Sequence, residues 1–248
     1  SSKKSGENFA RSILTTDTKV KQAVSKIKVG AKQVTIAATA KGAGMIAPNM
    51  ATTLCFITTD IAISTALLKK ALSQAIGGSL NKLTVDGHQS TNDTALILAS
   101  AAAGNRAVNK QDAGYRKFAN ALEDLCGDIG RQMALDAEGA TRIFKVVIKG
   151  AASKSDGRKA ARAVADYPLV KCAVNGGDPN WGRIICAVGS CGVRVNTSKL
   201  SCKLGGISVF SNGKAVKFDE KKASAIVSQK EHVIEVNLGA GKASDYCY

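Results

Sequence analysis

The sequence predicts a layered α/β protein. Its residues are 45% hydrophobic and only 4% aromatic, so the apolar positions are mostly small or aliphatic, which suits close packing of helices on sheets. Segments with helical spacing alternate along the chain with segments of β character. The length of 248 residues allows one large domain or two small ones, and is sufficient to bury a sizeable core.

The first half is predicted to begin its sheet with neighbouring strands. Gln33–Ala40 alternates in β fashion and Ala51–Thr59 is strongly apolar, and with no helix between them they are expected to pair antiparallel. The long amphipathic helix predicted over Gln111–Leu135 carries an apolar stripe of Phe118, Leu122, Leu125 and Ile129. The other predicted elements are a helix end at residues 7–14, a helix over Ile61–Ile76, a strand over Leu80–Val85, and a helix that runs from a cap at Asn92 or Asp93 to Ala103.

The second half alternates in the same way. Its predicted elements are a strand over Thr141–Lys149, a helix over Asp156–Ala165 that Pro168 ends, a turn at Gly176–Asn180, a helix from about Trp181, strands near 203–210, 213–218 and 232–238, and a short helix near 219–228. Neither repeats nor low-complexity linkers interrupt this order. We therefore expect a layered α/β sandwich with mixed, largely antiparallel sheets.

The formal charge of +16 is compatible with nucleic acid, a membrane surface or an acidic small molecule as partner. The lysines are spread along the chain, few aromatic side chains are available for base stacking, and no nucleic-acid-binding motif is visible. No run of about 18 apolar residues occurs, and because Ser1–Lys21 is polar and broken by charge we expect no signal peptide. The sequence thus predicts a basic solvated surface that attracts acidic metabolites, with no nucleic acid and no membrane as partner.

The seven cysteines are predicted to be buried free thiols of a reducing compartment, because their number is odd and most lie in apolar runs. Cys186 and Cys191 are the closest pair, but neither a second pair nor a histidine accompanies them. Zinc ligands usually come as closely spaced pairs, so we expect no metal site.

One segment, Lys41-Gly-Ala-Gly-Met-Ile-Ala-Pro-Asn-Met-Ala51-Thr52, has features of a self-cleaving junction. A threonine at a chain N-terminus is a useful nucleophile, since its own α-amine, with a pKa of about 7.7–8.0, can take the hydroxyl proton. Creating that terminus inside a chain requires cleavage after a small residue on a constrained backbone, and Ala51, Gly42, Gly44 and Pro48 fit this need. Taken alone, the pattern also fits an ordinary loop that enters a strand.

The whole segment closely resembles the autoproteolytic junction of the ornithine acetyltransferase family, also called bifunctional glutamate N-acetyltransferase. Further motifs resemble those of the family in the same order. They are Thr15-Thr16-Asp17-Thr18, Ser90-Thr91-Asn92-Asp93-Thr94, Asp136-Ala-Glu138-Gly-Ala-Thr141 and Asp178-Pro-Asn-Trp-Gly-Arg183. The resemblance covers most of the chain and implies an N-terminal-nucleophile-like enzyme with a layered α/β fold.

The resemblance also implies the reaction. N-acetylornithine would acetylate the threonine, ornithine would leave, and glutamate would take the acetyl group, an acetyl shuttle of arginine biosynthesis. No cofactor is implied, although some members accept acetyl-coenzyme A as a co-substrate. Cleavage would divide the chain into residues 1–51, the end of an α chain, and residues 52–248, a β chain, and two of each usually assemble. The implied location is the cytoplasm, or an organelle matrix in a eukaryote.

The family's site residues are carried over position by position. Thr52 corresponds to the nucleophile and Ala51–Thr52 to the cleavage site. Lys41 corresponds to a lysine that would bind a substrate carboxylate, and Glu138 to a carboxylate that would bind the substrate amine. Thr15 or Thr16 corresponds to a binding threonine, and the sequence does not choose between them. A solvated lysine, a charge at a helix end and a polar loop are the respective structural alternatives.

Other residues of interest are expected to have structural roles. Asn92 and Asp93 are interpreted as a helix cap, Trp181 and Arg183 as parts of a turn and helix start, and both His88 and His232 as non-catalytic.

The sequence departs from the family pattern in a few places. Thr53 replaces a usual Met and should point to the opposite strand face from Thr52, and Ala137 replaces a Gly. The family's oxyanion-hole Thr-Gly pair and its C-terminal Asn and Ser/Thr contacts have no counterpart in the chain, so we expect that residues are missing from it.

Two other functions fit the residues less closely. An N-terminal threonine hydrolase of small N-acyl amino acids would use water in place of glutamate, and would release acetate or cleave small amides. A basic binding module without catalysis would rest on net charge alone.

Overall fold

The computed structural model describes residues 3–46, 53–88 and 90–248. The chain folds into two compact units, residues 1–138 and 139–248, which we call unit 1 and unit 2. This division differs in position from the cut between Ala51 and Thr52, which lies outside the described residues and stays a prediction.

Unit 1 is a four-stranded sheet with helices on both faces. The strand order is β1-β2-β3-β4, with β1–β2 and β2–β3 antiparallel and β3–β4 parallel. Helices α2 and α3 pack together against the sheet, and Phe9 of α1 meets Phe56 of β3, with ring centroids 5.2 Å apart. The elements are α1 (Lys3–Ser12), β1 (Lys21–Val29), β2 (Lys32–Lys41), β3 (Leu54–Thr59), α2 (Thr65–Gly78), β4 (Thr94–Ala99) and α3 (Ala113–Leu135).

The core of unit 1 follows the predicted patterns of α3 and β2. Phe118, Leu122, Leu125 and Ile129 are all buried, which confirms the apolar stripe of α3. In β2, Val34, Ile36, Ala38 and Ala40 are buried at every second position, as expected for a strand covered on one face by a helix. A hairpin with Gly30 at positive φ joins β1 to β2. Strand β1 is not among the elements predicted from the sequence.

Two predicted elements of unit 1 are wrong. Leu80–Val85 is not a strand, since Leu80–Lys82 forms a 3-10 turn. The helix expected from Asn92 or Asp93 to Ala103 is the strand β4, which pairs with β3 from Leu54↔Thr94 to Thr59↔Ala99. A short apolar run cannot be assigned by periodicity alone, and pairing along the free edge of β3 overrides the helix propensity of its alanines and leucines.

Unit 2 is a six-stranded sheet of order β10-β5-β9-β6-β7-β8, in which β5 and β9 run parallel. Its core is formed by buried side chains of β5, β6, β7, β9 and β10 together with helices α4 to α7. The elements are β5 (Ile143–Ala151), α4 (Lys154–Asp166), α5 (Pro168–Gly176), α6 (Trp181–Ser190), β6 (Ser201–Leu204), β7 (Ile207–Ser211), β8 (Lys214–Ala215), α7 (Glu220–Val227), β9 (Glu231–Asn237) and β10 (Ala243–Cys247).

Unit 2 departs from the sequence analysis at Pro168 and at two glycines. Pro168 follows the end of α4 as predicted, but it also begins α5, where its fixed φ and missing N–H are tolerated in the first turn. The strand expected near 203–210 is a hairpin, because Gly205 and Gly206 both take positive φ and turn the chain between β6 and β7. Strand β10 was not predicted.

The described sheets confirm the predicted α/β class with mixed, largely antiparallel sheets. Among the described strands, antiparallel pairs outnumber the two parallel ones, β3–β4 and β5–β9. No described helix is both long and apolar enough to cross a membrane.

The cysteines are free, and four of them are buried, namely Cys55, Cys126, Cys202 and Cys247. Cys172 and Cys186 are exposed and Cys191 is half-buried, so the expectation of general burial is wrong for these three. Cys172 lies on α5 and Cys186 on α6, whereas Cys191 follows α6 and packs against the core of unit 2.

Candidate active site

Four of the predicted site residues line one pocket of unit 1. Thr15, Thr16, Lys41 and Glu138 line a cavity of about 330 Å³, together with residues 42–45, Asp86 and His88. Ala51 and Thr52, the predicted cleavage site and nucleophile, lie outside the described residues. The pocket therefore brings together the positions proposed to bind substrate.

Lys41 is the last residue of β2, and its side chain is half-buried at the pocket. Its Nζ donates a hydrogen bond of 3.4 Å to Oγ1 of Thr15. Thr16 also lines the pocket.

Glu138 reaches the pocket across the main chain that follows β2. Its amide donates to the carbonyl of Ala43 at 2.9 Å, which ties the end of the α3 segment to this loop. A Cβ at Gly44 would lie only 2.7 Å from Oε2 of Glu138. The missing side chain at Gly44 therefore leaves room for the carboxylate, and the pocket carries an ammonium and a carboxylate.

A buried ion cluster is hydrogen-bonded to residues that line the pocket. The ammonium of Lys21, which is 1% exposed, contacts Asp17 and donates to Oδ2 of Asp136 at 2.6 Å. Asp136 also accepts from Thr18 and from the amide of Lys19 at 3.1 Å. Lys21 was missed by the sequence analysis, whereas both aspartates belong to motifs that it singled out.

The cluster positions the main chain around Lys41. Besides binding Lys21, Asp17 accepts from the amide of Gly42 at 2.7 Å and from that of Thr15 at 3.3 Å. Burial opposes ionisation of Asp17 and Asp136, but the hydrogen bonds outweigh it, and the pKa of each carboxyl is lowered. Two ionised aspartates therefore hold the loop of Thr15 and the end of β2 against the end of α3.

Two further aspartates hold main-chain amides next to the predicted junction. Asp86 accepts from the amides of Met45, at 2.6 Å, and Ile46, at 3.1 Å. Burial opposes its ionisation, but these bonds and His88 lower the pKa of Asp86. Asp93 accepts from the amide of Thr53. The interpretation of Asp93 as a helix cap is wrong, since β4 follows it.

The remaining candidates have structural contacts or lie in unit 2. His88 lines the pocket beside Asp86, with its Nδ1 3.6 Å from Oδ1 of Asp86. Its place in this pocket was not predicted from the sequence. His232 is buried in unit 2 and stacks on Phe144. Thr53 is buried, but the prediction that it points away from Thr52 falls outside the described residues.

The motif Asp178–Arg183 builds the start of α6. Asn180 caps the helix by accepting from the amide of Arg183 at 3.3 Å, and Arg183 donates to the carbonyl of Leu169 at 2.9 Å. Trp181 packs on Phe210 with ring centroids 5.0 Å apart. These contacts match the expected structural roles of Trp181 and Arg183. Within the part of the chain that the structure describes, no three His, Cys, Asp or Glu side chains form a metal-binding group.

The chain belongs to the ArgJ family, whose sequence model matches residues 1–248. It is 46% identical to the "Arginine biosynthesis bifunctional protein ArgJ" of Symbiobacterium thermophilum over 237 residues, which cover 96% of this chain and 59% of that protein. It is 42% identical to the protein of the same name from Dehalococcoides mccartyi over 245 residues, 98% of this chain and 60% of that protein. The chain thus spans about three-fifths of the length of these relatives.

A solved structure shows the same fold. The crystal structure of the arginine biosynthesis bifunctional protein ArgJ from Bacillus halodurans matches with a TM-score of 0.74 and 34% sequence identity. The match covers 77% of this chain and 89% of that chain.

Proposed function

We propose that the protein transfers an acetyl group from N-acetylornithine to glutamate through an acetyl ester on Thr52. The observation that carries the proposal is the convergence of Lys41, Thr15 and Glu138 on one pocket. An ammonium and a carboxylate in one small cavity suit a substrate with a carboxylate and an amine, as both amino-acid substrates have. The relatives named for arginine biosynthesis support the same reaction.

The chemistry needs no cofactor. The Thr52 hydroxyl would attack the acetyl carbonyl of N-acetylornithine while the α-amine takes its proton, and ornithine would leave with that proton. The amine of glutamate would then attack the acetyl ester, releasing N-acetylglutamate and restoring the hydroxyl. Acetyl-coenzyme A would serve as an alternative donor.

Self-cleavage would first make the α-amine of Thr52 available. The hydroxyl of Thr52 would attack the carbonyl of Ala51, and the C–N bond would break to leave an ester and a free α-amine on Thr52. Water would then hydrolyse the ester to a carboxylate at Ala51 and the free hydroxyl of Thr52. The resulting chains, ending at residue 51 and beginning at residue 52, would assemble as α2β2. We expect the enzyme to act in the cytoplasm or an organelle matrix.

The test uses the natural full-length protein. Intact-mass measurement should show two chains that meet between Ala51 and Thr52, and product analysis should show N-acetylglutamate formed only with both substrates present. Thr52→Ala should abolish both cleavage and transfer, whereas Thr58→Ala, on the same strand segment, should cleave normally. An uncut protein that still transfers acetyl groups would contradict the proposal, and acetate release independent of glutamate would indicate a hydrolase.

A further inference from the structure

The two amino-acid substrates of the proposed reaction differ in the charge at the end of their side chains. In N-acetylornithine the α-nitrogen carries the acetyl group, and the side chain ends in an ammonium. In glutamate the α-amine is the nucleophile, and the side chain ends in a carboxylate. Since an α-nitrogen leaves in the first half-reaction and attacks in the second, it occupies the same position in both, and both side chains extend into the same part of the pocket.

The acidic side chains of the pocket suit the ornithine ammonium and oppose the glutamate carboxylate. Lys41 and Glu138 together suit an α-carboxylate and a side-chain ammonium. Asp86 adds a second negative charge, because main-chain hydrogen bonds, first that from His88, outweigh its burial and lower the pKa of Asp86. Two carboxylates would repel the side chain of glutamate, so this substrate needs a cationic partner in the pocket.

His88 is the residue that can supply this partner. Among the described residues that line the pocket, Lys41 and His88 are the two whose side chains can carry a positive charge. The ammonium of Lys41 is engaged by the α-carboxylate, which both substrates share. The side chain of His88 is 77% exposed and therefore accessible to a ligand that enters the pocket.

Asp86 holds His88 at the pocket. Oδ1 of Asp86 accepts from the amide of His88 at 2.9 Å and lies 3.6 Å from Nδ1 of the imidazole. The same carboxylate accepts from the amides of Met45, at 2.6 Å, and Ile46, at 3.1 Å, which fixes it to the main chain that follows β2. When the imidazole is protonated it forms an ion pair with Asp86 through Nδ1, and Nε2 is then the nitrogen that donates to a ligand.

We propose that His88 is a specificity-determining residue that binds the side-chain carboxylate of glutamate. This inference rests on the proposed function, because it concerns the acceptor of that reaction. In the first half-reaction Glu138 receives the ornithine ammonium, and in the second the imidazolium of His88 receives the glutamate carboxylate. One pocket with an acidic and a basic side chain thus accommodates two substrates of opposite side-chain charge.

The experiment changes the charge at position 88 of the full-length protein in three ways. His88→Gln removes the positive charge but keeps a hydrogen-bond donor, His88→Lys makes the charge permanent, and His88→Asp reverses it. Gln33→Lys and Gln33→Asp are the matched controls, since Gln33 is exposed at the opposite end of β2 from Lys41 and lies outside the pocket. Steady-state kinetics gives KM for N-acetylornithine and for glutamate, and glutamine as acceptor tests an uncharged side chain of the same shape.

We expect His88→Gln to raise KM for glutamate about tenfold relative to KM for N-acetylornithine, and to lower the preference for glutamate over glutamine by the same factor. His88→Lys should keep or increase this preference, whereas His88→Asp should lower it further than His88→Gln does.

Unchanged acceptor preference in the variants at position 88 that still release ornithine overturns this inference alone. So do equal changes in the Gln33 variants, which would assign the effect to the overall charge of the protein. A wild-type enzyme that uses glutamine as well as glutamate also overturns it, whatever the variants do. Absence of transfer by wild type overturns the proposed function as well.

Discussion

Lys21 and Asp136 form a buried ion pair, with Nζ of the lysine 2.6 Å from Oδ2 of the aspartate and side-chain exposures of 1% and 5%. The two residues are far apart in sequence, at the start of β1 and the end of α3. Asp17 shares the same ammonium, so one cation contacts two carboxylates. The pair thereby joins the loop of Thr15 to the segment that carries Glu138.

Lys21→Met should destabilise unit 1 by about 3–5 kcal/mol, because it leaves two buried carboxylates without their cation. Hydrogen exchange of the α3 amides measures the free energy of unfolding in this unit. Lys19→Met is the matched control, since Lys19 is exposed and contributes its amide rather than its ammonium to Asp136. A loss below about 1 kcal/mol would show that the cluster is dispensable.

Gly44→Ala should weaken substrate binding in the full-length protein. The new methyl group would meet the Glu138 carboxylate and displace it from the pocket. We expect KM to rise at least tenfold, because losing one charged hydrogen bond costs about 1.5–3 kcal/mol, with a smaller change in kcat. Gly127→Ala on α3 has open space for its methyl group and should keep the wild-type KM. An unchanged KM in Gly44→Ala would argue against a role for Glu138 in binding.

Thr15→Ala should raise KM more than Thr16→Ala does. The hydroxyl of Thr15 is hydrogen-bonded to Lys41 and helps to orient its ammonium. Because the hydrogen bond between this hydroxyl and the Lys41 ammonium is 3.4 Å long, its loss should raise KM a few-fold. Steady-state kinetics with each substrate distinguishes the two variants, and the opposite order would assign the binding role to Thr16.

His232 should make unit 2 less stable in mild acid. Burial, together with Arg142, lowers the pKa of His232 to about 4, against 6.5 in an exposed histidine. As pH falls below the higher value, the unfolded chain binds a proton that the folded chain excludes, so stability is lost between these two pKa values, on the order of 3 kcal/mol. Above pH 6.5 the imidazole is neutral in both the folded and the unfolded chain, so its titration no longer changes the free energy of unfolding.

His232→Phe should remove this dependence while keeping the stack on Phe144. The measurement is the midpoint of thermal unfolding of unit 2 as a function of pH, which should fall in wild type and stay flatter in the variant. Parallel curves for the two proteins would show that His232 does not titrate as inferred.

The local sequence pattern was sufficient to predict elements whose secondary structure depends on their own residues alone. The apolar stripe of α3 and the alternating burial of β2 were predicted because the spacing of apolar residues within each segment shows its period. The apolar run at Thr94–Ala99 was misassigned because only the neighbouring strand β3 decides between helix and strand.

The same limit applies to the site. Lys41, Thr15 and Glu138 were found through motifs, and the structure places them around one pocket. Lys21 looks in sequence like Lys26 or Lys28 of the same strand, and only the fold brings it to Asp136. Asp93 was noticed but given the wrong role, because its partner Thr53 is forty residues away in sequence.

The pairing of β2 with β3 has a consequence for the form of the mature protein. The ladder joins Ile36–Lys41 to Leu54–Thr59, so its two strands lie on opposite sides of the bond between Ala51 and Thr52. Cleavage of that bond would leave every residue pair of the ladder in place, and the two polypeptides would remain joined as neighbouring strands of one sheet. Such a nicked molecule would migrate as one particle on a native gel and as two bands only after denaturation.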